Sequence, residues 1–321
     1  MAADCQMCGT VHRTKLAVAC PESRTGEIIL GKYRIGAVLG LGGMAAVYAA
    51  QHLMLRREVA LKVLHKRFAV DQELGARFVR EGRETAATGH PAFVGVHDAG
   101  ITEDGCAFIE MDRLAGKDLY SIRKVEQTLT PERTVGIAIA VLEALEVLHG
   151  RGVIHRDLKS ANVYLEPAAD GTERVKVLDL GFAKANDELN LTSPNALLGT
   201  PFYISPEQYI DPTTVDARAD LFSLGIVMFE VLTGEWPYTY DSKKDLLSKV
   251  MFGQLERHPA RRREEVPRWL DAVVAKALAL QREHRFASAA AMREALIAGA
   301  KRRPAGKPGL FKRLFGKRGA G

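Results

Sequence analysis

Short runs of alternating or continuous apolar residues come first along the chain: residues 33–40, 47–53, 59–64, 93–99 and 106–111 each predict a strand. One helix interrupts them over 72–88, where Phe78 sits among Arg77, Arg80, Glu81 and Glu84 and where Gly89-His90-Pro91 stops further winding. Gly75 and Gly82 inside it cost about 1 kcal/mol each relative to Ala, so packing and not propensity must hold this helix. After Leu114 the pattern turns helical. Thr130-Pro131-Glu132-Arg133 reads as a capped start with Pro in the first turn, and Ile137, Val141, Leu145 and Leu148 make one stripe that runs to His149. Further helices are predicted over 217–233, 243–252, 267–279 and 288–298. A small β-rich part followed by a larger helical part predicts an α+β protein of two lobes, 33–113 and 114–298, with a ligand in the cleft between them. Residues 1–27 make a short Cys-bearing leader and 299–321 a tail.

Composition adds constraints. At 321 residues and 47% apolar content the chain is globular and longer than one compact core usually needs. Its net charge of +6 is unevenly spread: residues 301–321 hold eight Lys+Arg and no acid, and the remainder carries 37 Lys+Arg against 39 Asp+Glu. The surplus therefore describes the tail, which argues against a nucleic-acid partner. Four Cys, three of them at Cys5, Cys8 and Cys20, make no disulfide framework. No run reaches the about 18 apolar residues of a membrane-spanning helix. Only four apolar residues separate Lys15 from Cys20, too few for a secretory signal, so the chain reads as cytoplasmic.

The candidate chemistry lies in four segments. Leu39-Gly40-Leu41-Gly42-Gly43-Met44-Ala45-Ala46-Val47-Tyr48 falls between two predicted strands. Dinucleotide fingerprints and Walker loops open a helix, so this placement favours a glycine-rich hairpin over phosphates, where missing side chains let the backbone approach phosphate oxygens. Alone, such a hairpin is as readily a bare turn. Val59-Ala60-Leu61-Lys62 ends an apolar strand in a lysine; His155-Arg156-Asp157-Leu158-Lys159-Ser160-Ala161-Asn162 follows a helix, and Val177-Leu178-Asp179-Leu180-Gly181 follows another short strand. Each polar residue here has a bland alternative as a strand end, turn or cap. The ordered set does not.

That set resembles the motifs of bacterial eukaryotic-like (Hanks-type) serine/threonine protein kinases over about residues 33–298. The resemblance implies a two-lobed protein kinase-like fold and transfer of the γ-phosphoryl group of ATP to Ser/Thr hydroxyls of protein substrates in bacterial signalling. It also implies roles. Gly40 and Gly42 cover the phosphates, Lys62 holds the α- and β-phosphates, and Glu81 positions Lys62, with Glu84 one turn on as its rival. Asp157 accepts the substrate hydroxyl proton, Lys159 stabilises the transferring phosphoryl group, and Asn162 and Asp179 hold Mg²⁺, a hard cation suited to carboxylate, amide oxygen and water. Leu39, Val47 and Ala60 above and Tyr164 below enclose the adenine, whose edge meets Asp112 and Leu114, with Met111 guarding the inner pocket. Lys159 and Gly199-Thr200 resemble Ser/Thr kinases more than tyrosine kinases. Glu207 is expected to pair with Arg285, and Asp220 to brace the loop around Asp157.

The departures from the family pattern are Ala45 for the third glycine, Leu180 for the usual Phe, Ser205 for Ala, and the aromatic Tyr164 where an aliphatic adenine floor is usual. None removes a charged catalytic group, which weighs against the alternative of a pseudokinase acting as a nucleotide-dependent binding module. A small-molecule kinase conflicts with the peptide-docking segment 199–207. Arg156 beside Asp157 marks kinases whose activation segment is ordered by its own phosphate, and Thr192, then Ser193, are the expected autophosphorylation sites.

Both ends carry weaker patterns. Cys5-x₂-Cys8 with Cys20-Pro21 resembles a zinc ribbon lacking one ligand, with His12 as substitute; the alternative is a leader with free thiols. In the tail, Leu310, Phe311, Leu314 and Phe315 fall on one helical side with cations on the other. That is an interfacial pattern suited to peripheral contact with an anionic membrane, although Gly309 and Gly316 weaken it and a solvated tail is the alternative.

Overall fold

The computed structural model describes residues 23–181, 201–239, 241–252 and 258–301, which divide into two compact units parting after Leu114.

In the first unit an antiparallel six-stranded sheet runs in the order β1-β2-β3-β4-β6-β5, from β1 (Ile28–Ile29), β2 (Tyr33–Leu41), β3 (Ala45–His52), β4 (Arg57–Leu64), β5 (Val96–Ile101) and β6 (Ala107–Met111). Strand alternation divides the side chains between two faces. Tyr33, Ile35, Tyr48, Val59, Leu61, Val63 and Phe108 form a core on one face. The other face takes Leu64, Ala107 and Ile109, which pack with Leu74, Phe78 and Val79 of α1 (Gln72–Thr88). Asp71 caps α1 by accepting from the Leu74 N–H, and Gly89 ends it in the left-handed conformation. The interior Gly82 has a packing reason: a β-carbon there would stand 3.1 Å from Ile109 Cγ1 and 3.2 Å from Ala99 Cβ.

Order in this unit starts earlier than the patterning at Tyr33 indicates. Arg24 is buried and paired with Asp104 and Glu27, and Ile35 N donates to the Glu27 carbonyl at 2.9 Å. The strand expected over 93–99 begins at Val96 instead, because His90 and Pro91 are followed by a turn in which Phe93 N donates to the His90 carbonyl.

The second unit is mainly helical but opens with a small sheet, of which the sequence shows only the strand leading to Val177: β7 (Lys117–Asp118), β8 (Val163–Pro167) and β9 (Glu173–Val177), in the order β7-β8-β9. Around it lie α2 (Leu119–Glu126), α3 (Pro131–Gly150), α4 (Pro206–Ile210), α5 (Arg218–Thr233), α6 (Lys243–Phe252), α7 (Pro259–Arg262), α8 (Arg268–Ala277) and α9 (Ala289–Lys301). Thr130 caps α3 by accepting from the Arg133 N–H, with Pro131 at the first position. From Ala219 to Leu232 every residue of α5 is buried, so it forms the axis on which α3, α8 and α9 pack. The loop between α3 and β8 and the turn after β9 hang on this axis.

Candidate active site

In the first unit, sheet register collects the expected nucleotide residues. Val47 pairs with Lys62 across β3 and β4, and Ala60 pairs with Met111 across β4 and β6. Even spacing puts Ala60 and Lys62 on the face that α1 covers, opposite the core of Tyr48 and Leu61. Lys62 Nζ donates to Glu81 Oε1 at 2.7 Å, both side chains are largely buried, and the ammonium lies 5.2 Å from the centre of the Phe78 ring. Glu84 faces outward beside Arg80, at 3.7 Å. β2 and β3 do form a hairpin around the glycines, closed by Gly42 N donating to the Ala45 carbonyl. Its tip is tied down by His65, whose Nε2 is 2.9 Å from the Gly42 carbonyl, while a β-carbon at Gly40 would meet no atom within 4 Å. Leu39 is exposed.

Asp112 is already engaged. Its N–H donates to the Gly95 carbonyl at 2.8 Å, and its carboxylate takes the Gly95 N–H at 3.2 Å and His97 Nε2 at 2.6 Å. What Asp112 can offer a ligand is its backbone carbonyl. Leu114 closes the unit two residues later.

In the second unit, one short loop assembles the residues expected to act in transfer. Lys159 Nζ donates to Asp157 Oδ2 at 2.9 Å, and Asn162 Nδ2 donates to the same oxygen at 3.1 Å and to the Asp157 carbonyl at 2.8 Å. Asp220, fully buried in the first turn of α5, holds this loop from beneath: Oδ2 accepts from the His155 N–H and Oδ1 from the Arg156 N–H, both at 2.9 Å. His149 at the end of α3 adds its Nε2 to Asp220 Oδ2 at 2.8 Å. His155 Nε2 reaches the Leu178 carbonyl, and Gly181 N donates to the His155 carbonyl, which fastens the Asp179 turn to the loop. Burial lowers the His155 pKa below its ordinary value, although Asp220 and Asp157 oppose this. Arg156 and Asp179 both adopt positive φ, 62° and 52°. Such strain in non-glycine residues gathers at functional sites. Tyr164 on β8 donates to the Gly116 carbonyl at 2.8 Å, and burial raises its pKa. The Glu207–Arg285 pair is present and bidentate, at 2.7 and 2.8 Å.

The residues fit a magnesium ion carried with a nucleotide better than a protein-only metal cage. Asn162 spends its amide nitrogen within the loop, which leaves its oxygen for a cation, and Asp179 supplies a carboxylate. Among the described residues no group of three or more His, Cys, Asp or Glu side chains could hold a metal by itself. A Mg²⁺ there would draw its remaining ligands from phosphate and water. Cys5, Cys8, His12 and Cys20 lie outside the described residues, as do Thr192, Ser193, Gly199, Thr200 and the tail from 302 onward. Among the described residues no helix is long and apolar enough to cross a membrane.

Sequence reasoning passed over a buried polar group beside this loop, formed by Ser160, Tyr203, Glu230 and Arg123. One signal was available. Glu230 is the only acid between Leu221 and Leu232 in an otherwise apolar helix, and a buried carboxylate must be paired.

The protein kinase domain profile matches residues 33–297. The chain belongs to this family. It is 40% identical over 274 residues to serine/threonine-protein kinase PknB of Mycobacterium tuberculosis, a match that takes in 83% of this chain and 42% of PknB. Serine/threonine-protein kinase pkn3 of Myxococcus xanthus is 38% identical over 284 residues, 87% of this chain and 52% of that protein. The chain thus spans about half or less of the length of these relatives. Among solved structures it resembles the kinase domain of Mycobacterium tuberculosis PknI, with a TM-score of 0.64, 28% identity, and coverage of 85% of this chain and 98% of that one.

Proposed function

We propose that this chain is a serine/threonine protein kinase that transfers the ATP γ-phosphoryl group to Ser and Thr hydroxyls of proteins in cytoplasmic signalling. The observation that carries this reading is the convergence of Lys159 and Asn162 on the Asp157 carboxylate, in a loop that Asp220 pins to a buried helix. Phosphoryl transfer asks the protein mostly for positioning and charge neutralisation. Asp157 receives the proton of the acceptor hydroxyl and aligns its oxygen for in-line attack. Lys159, bonded to the same carboxylate, neutralises charge on the transferring group. Asn162 and Asp179 would hold Mg²⁺, which supplies charge neutralisation at the phosphates when bound. Lys62, fixed by Glu81, takes the α- and β-phosphates, with Gly40 and Gly42 above them. Leu39, Val47, Ala60 and Tyr164 take the adenine, and the backbone of Asp112 and Leu114 beside Met111 reads its edge.

An assay with radiolabelled ATP on the wild type and Asp157→Ala tests this. Transfer to protein by the wild type and its loss in the variant are expected; incorporation that survives the change overturns the mechanism. A binding module without catalysis would bind ATP and transfer nothing in either protein. Contact of the 299–321 tail with anionic membrane belongs to the same proposal, supported by its eight cations and interleaved Leu and Phe residues. Equal liposome flotation of the full chain and of a chain ending at Gly299 would reject it.

A further inference from the structure

Two carboxylates of α5, ten residues apart and so about 15 Å along its axis, hold the loop that carries Asp157. Asp220 holds the start of the loop, through the N–H groups of His155 and Arg156. Glu230 holds its end, through Tyr203 and through its own bond to Ser160. Ser160 is fully buried in the turn Ser160–Asn162, and its Oγ lies 2.8 Å from the Tyr203 hydroxyl. Tyr203 in turn donates to Glu230 Oε2 at 2.7 Å. A phenol has one proton, and here it goes to the carboxylate, so Ser160 is the donor in its bond with Tyr203. Burial next to Glu230 pushes the Tyr203 pKa up, so that proton stays in place. Arg123 Nε of α2 stands 2.9 Å from Glu230 Oε1 as an ion pair whose N–H is not aligned for a hydrogen bond, and its other arm reaches the Gly234 carbonyl. Tyr203 is itself fixed, since its carbonyl accepts from Ser223 Oγ at 2.7 Å.

Asp157, Lys159 and Asn162 are bonded to one another, which sets their mutual geometry within the loop. Where the cluster stands on the helical body depends on its two ends. The second end is tied through a residue of the turn Pro201–Tyr203, within the segment expected to dock peptide.

We propose that Ser160 is a positioning residue for phosphoryl transfer: through Tyr203 and Glu230 it fixes Lys159 and Asn162 relative to the turn Pro201–Tyr203. This rests on the kinase reading above. Losing the bond leaves nucleotide binding intact and misplaces the transferring groups, so the loss falls on kcat.

The test compares the wild type with Ser160→Ala, Tyr203→Phe and the double variant, using myelin basic protein as acceptor, well below the lowest unfolding midpoint. Ser160→Ala is expected to lower kcat about five- to tenfold with the KM for ATP within about twofold of the wild type. Without the phenol the serine keeps only its own bond to the Glu230 carboxylate, so the double variant should lose less than the product of the two single losses. Hydrogen exchange at residues 158–162 should quicken in all three variants. The proposal is overturned if Ser160→Ala keeps kcat within twofold, if the double variant loses the product of the single losses, or if exchange is unchanged. A wild type that transfers no phosphate defeats the kinase reading instead, and the exchange measurement then still decides whether Ser160 anchors the loop.

Discussion

Gly181 lies against Asp157 with no room for a side chain: a β-carbon on Gly181 would stand 3.0 Å from the Asp157 Cβ and 3.0 Å from the His155 carbonyl oxygen. The Gly181 N–H already donates to that carbonyl at 2.8 Å, so at this point the turn bearing Asp179 and the loop bearing Asp157 meet backbone to backbone. Gly181→Ala must push them apart. The expected cost in stability is about 1–3 kcal/mol, read from denaturant midpoints. The expected cost in kcat is larger, about a hundredfold, because displaced reacting groups lose near-attack geometry. A folded Gly181→Ala protein with wild-type kcat would show that the contact does not set catalytic geometry.

Glu81 and Glu84 give a contrast within one helix. Glu81 is buried at 2.7 Å from the Lys62 ammonium, and Glu84 is half-exposed beside Arg80. Replacing Glu81 leaves a buried ammonium without its carboxylate, a loss that costs about 3–5 kcal/mol in a fully buried pair and somewhat less here. Glu81→Gln should therefore lower kcat/KM for ATP at least about tenfold, whereas Glu84→Gln should change it by less than about twofold. Steady-state kinetics on both variants checks this, and equal losses would remove Glu81 from its assigned role.

The elements with strong local signals were legible from residue order alone. Alternation marked β2, β4 and β6, and Gly89-His90-Pro91 marked the end of α1. The small sheet was only partly legible because its strands are short and polar, with Lys117-Asp118 in one and Glu173, Arg174 and Lys176 in another. Arg24 was hidden because its partner, Asp104, lies 80 residues away. The charged site residues stood out as motifs, yet what holds them did not. Ser160 and Tyr203 read as ordinary loop residues until the fold brings them to Glu230. Periodicity reports which face is buried; it carries no information on which distant polar groups share that burial.

His155 predicts a pH dependence of stability. Its Nδ1 accepts from the Asp157 N–H at 3.3 Å and its Nε2 faces the Leu178 carbonyl at 3.1 Å, an arrangement that suits the neutral ring. Burial places its folded pKa below the ordinary 6.5, so between the two values the unfolded chain binds more protons. Stability from this group is complete above pH about 6.5 and is lost as pH falls toward the folded value, with a slope of at most about 1.4 kcal/mol per pH unit. The raised pKa of Glu230 acts in the opposite sense but is common to any pair of variants that retain it. Urea midpoints from pH 8 to 5.5 should therefore fall more steeply for the wild type than for His155→Gln. Parallel curves would mean that His155 does not titrate differently on folding.

Arg156 is a cation prepared for a partner. Its N–H is held by Asp220, its carbonyl accepts from Gln208 Nε2 at 3.2 Å, and its φ of 62° fixes the direction of the backbone. The guanidinium itself has neither hydrogen bond nor ion pair to another described residue. A phosphate brings about −1.5 to −2 charge and acceptor oxygens that such a fork binds well. After incubation with MgATP, peptide mapping should find phosphate on Thr192 first and Ser193 second, with a rise in kcat that Thr192→Ala and Ser193→Ala together abolish. Arg156→Asn tolerates the left-handed backbone, so it should fold, accept phosphate from added wild-type protein and show no such rise. Activation of Arg156→Asn by phosphate as strong as in the wild type would place the phosphate's partner elsewhere.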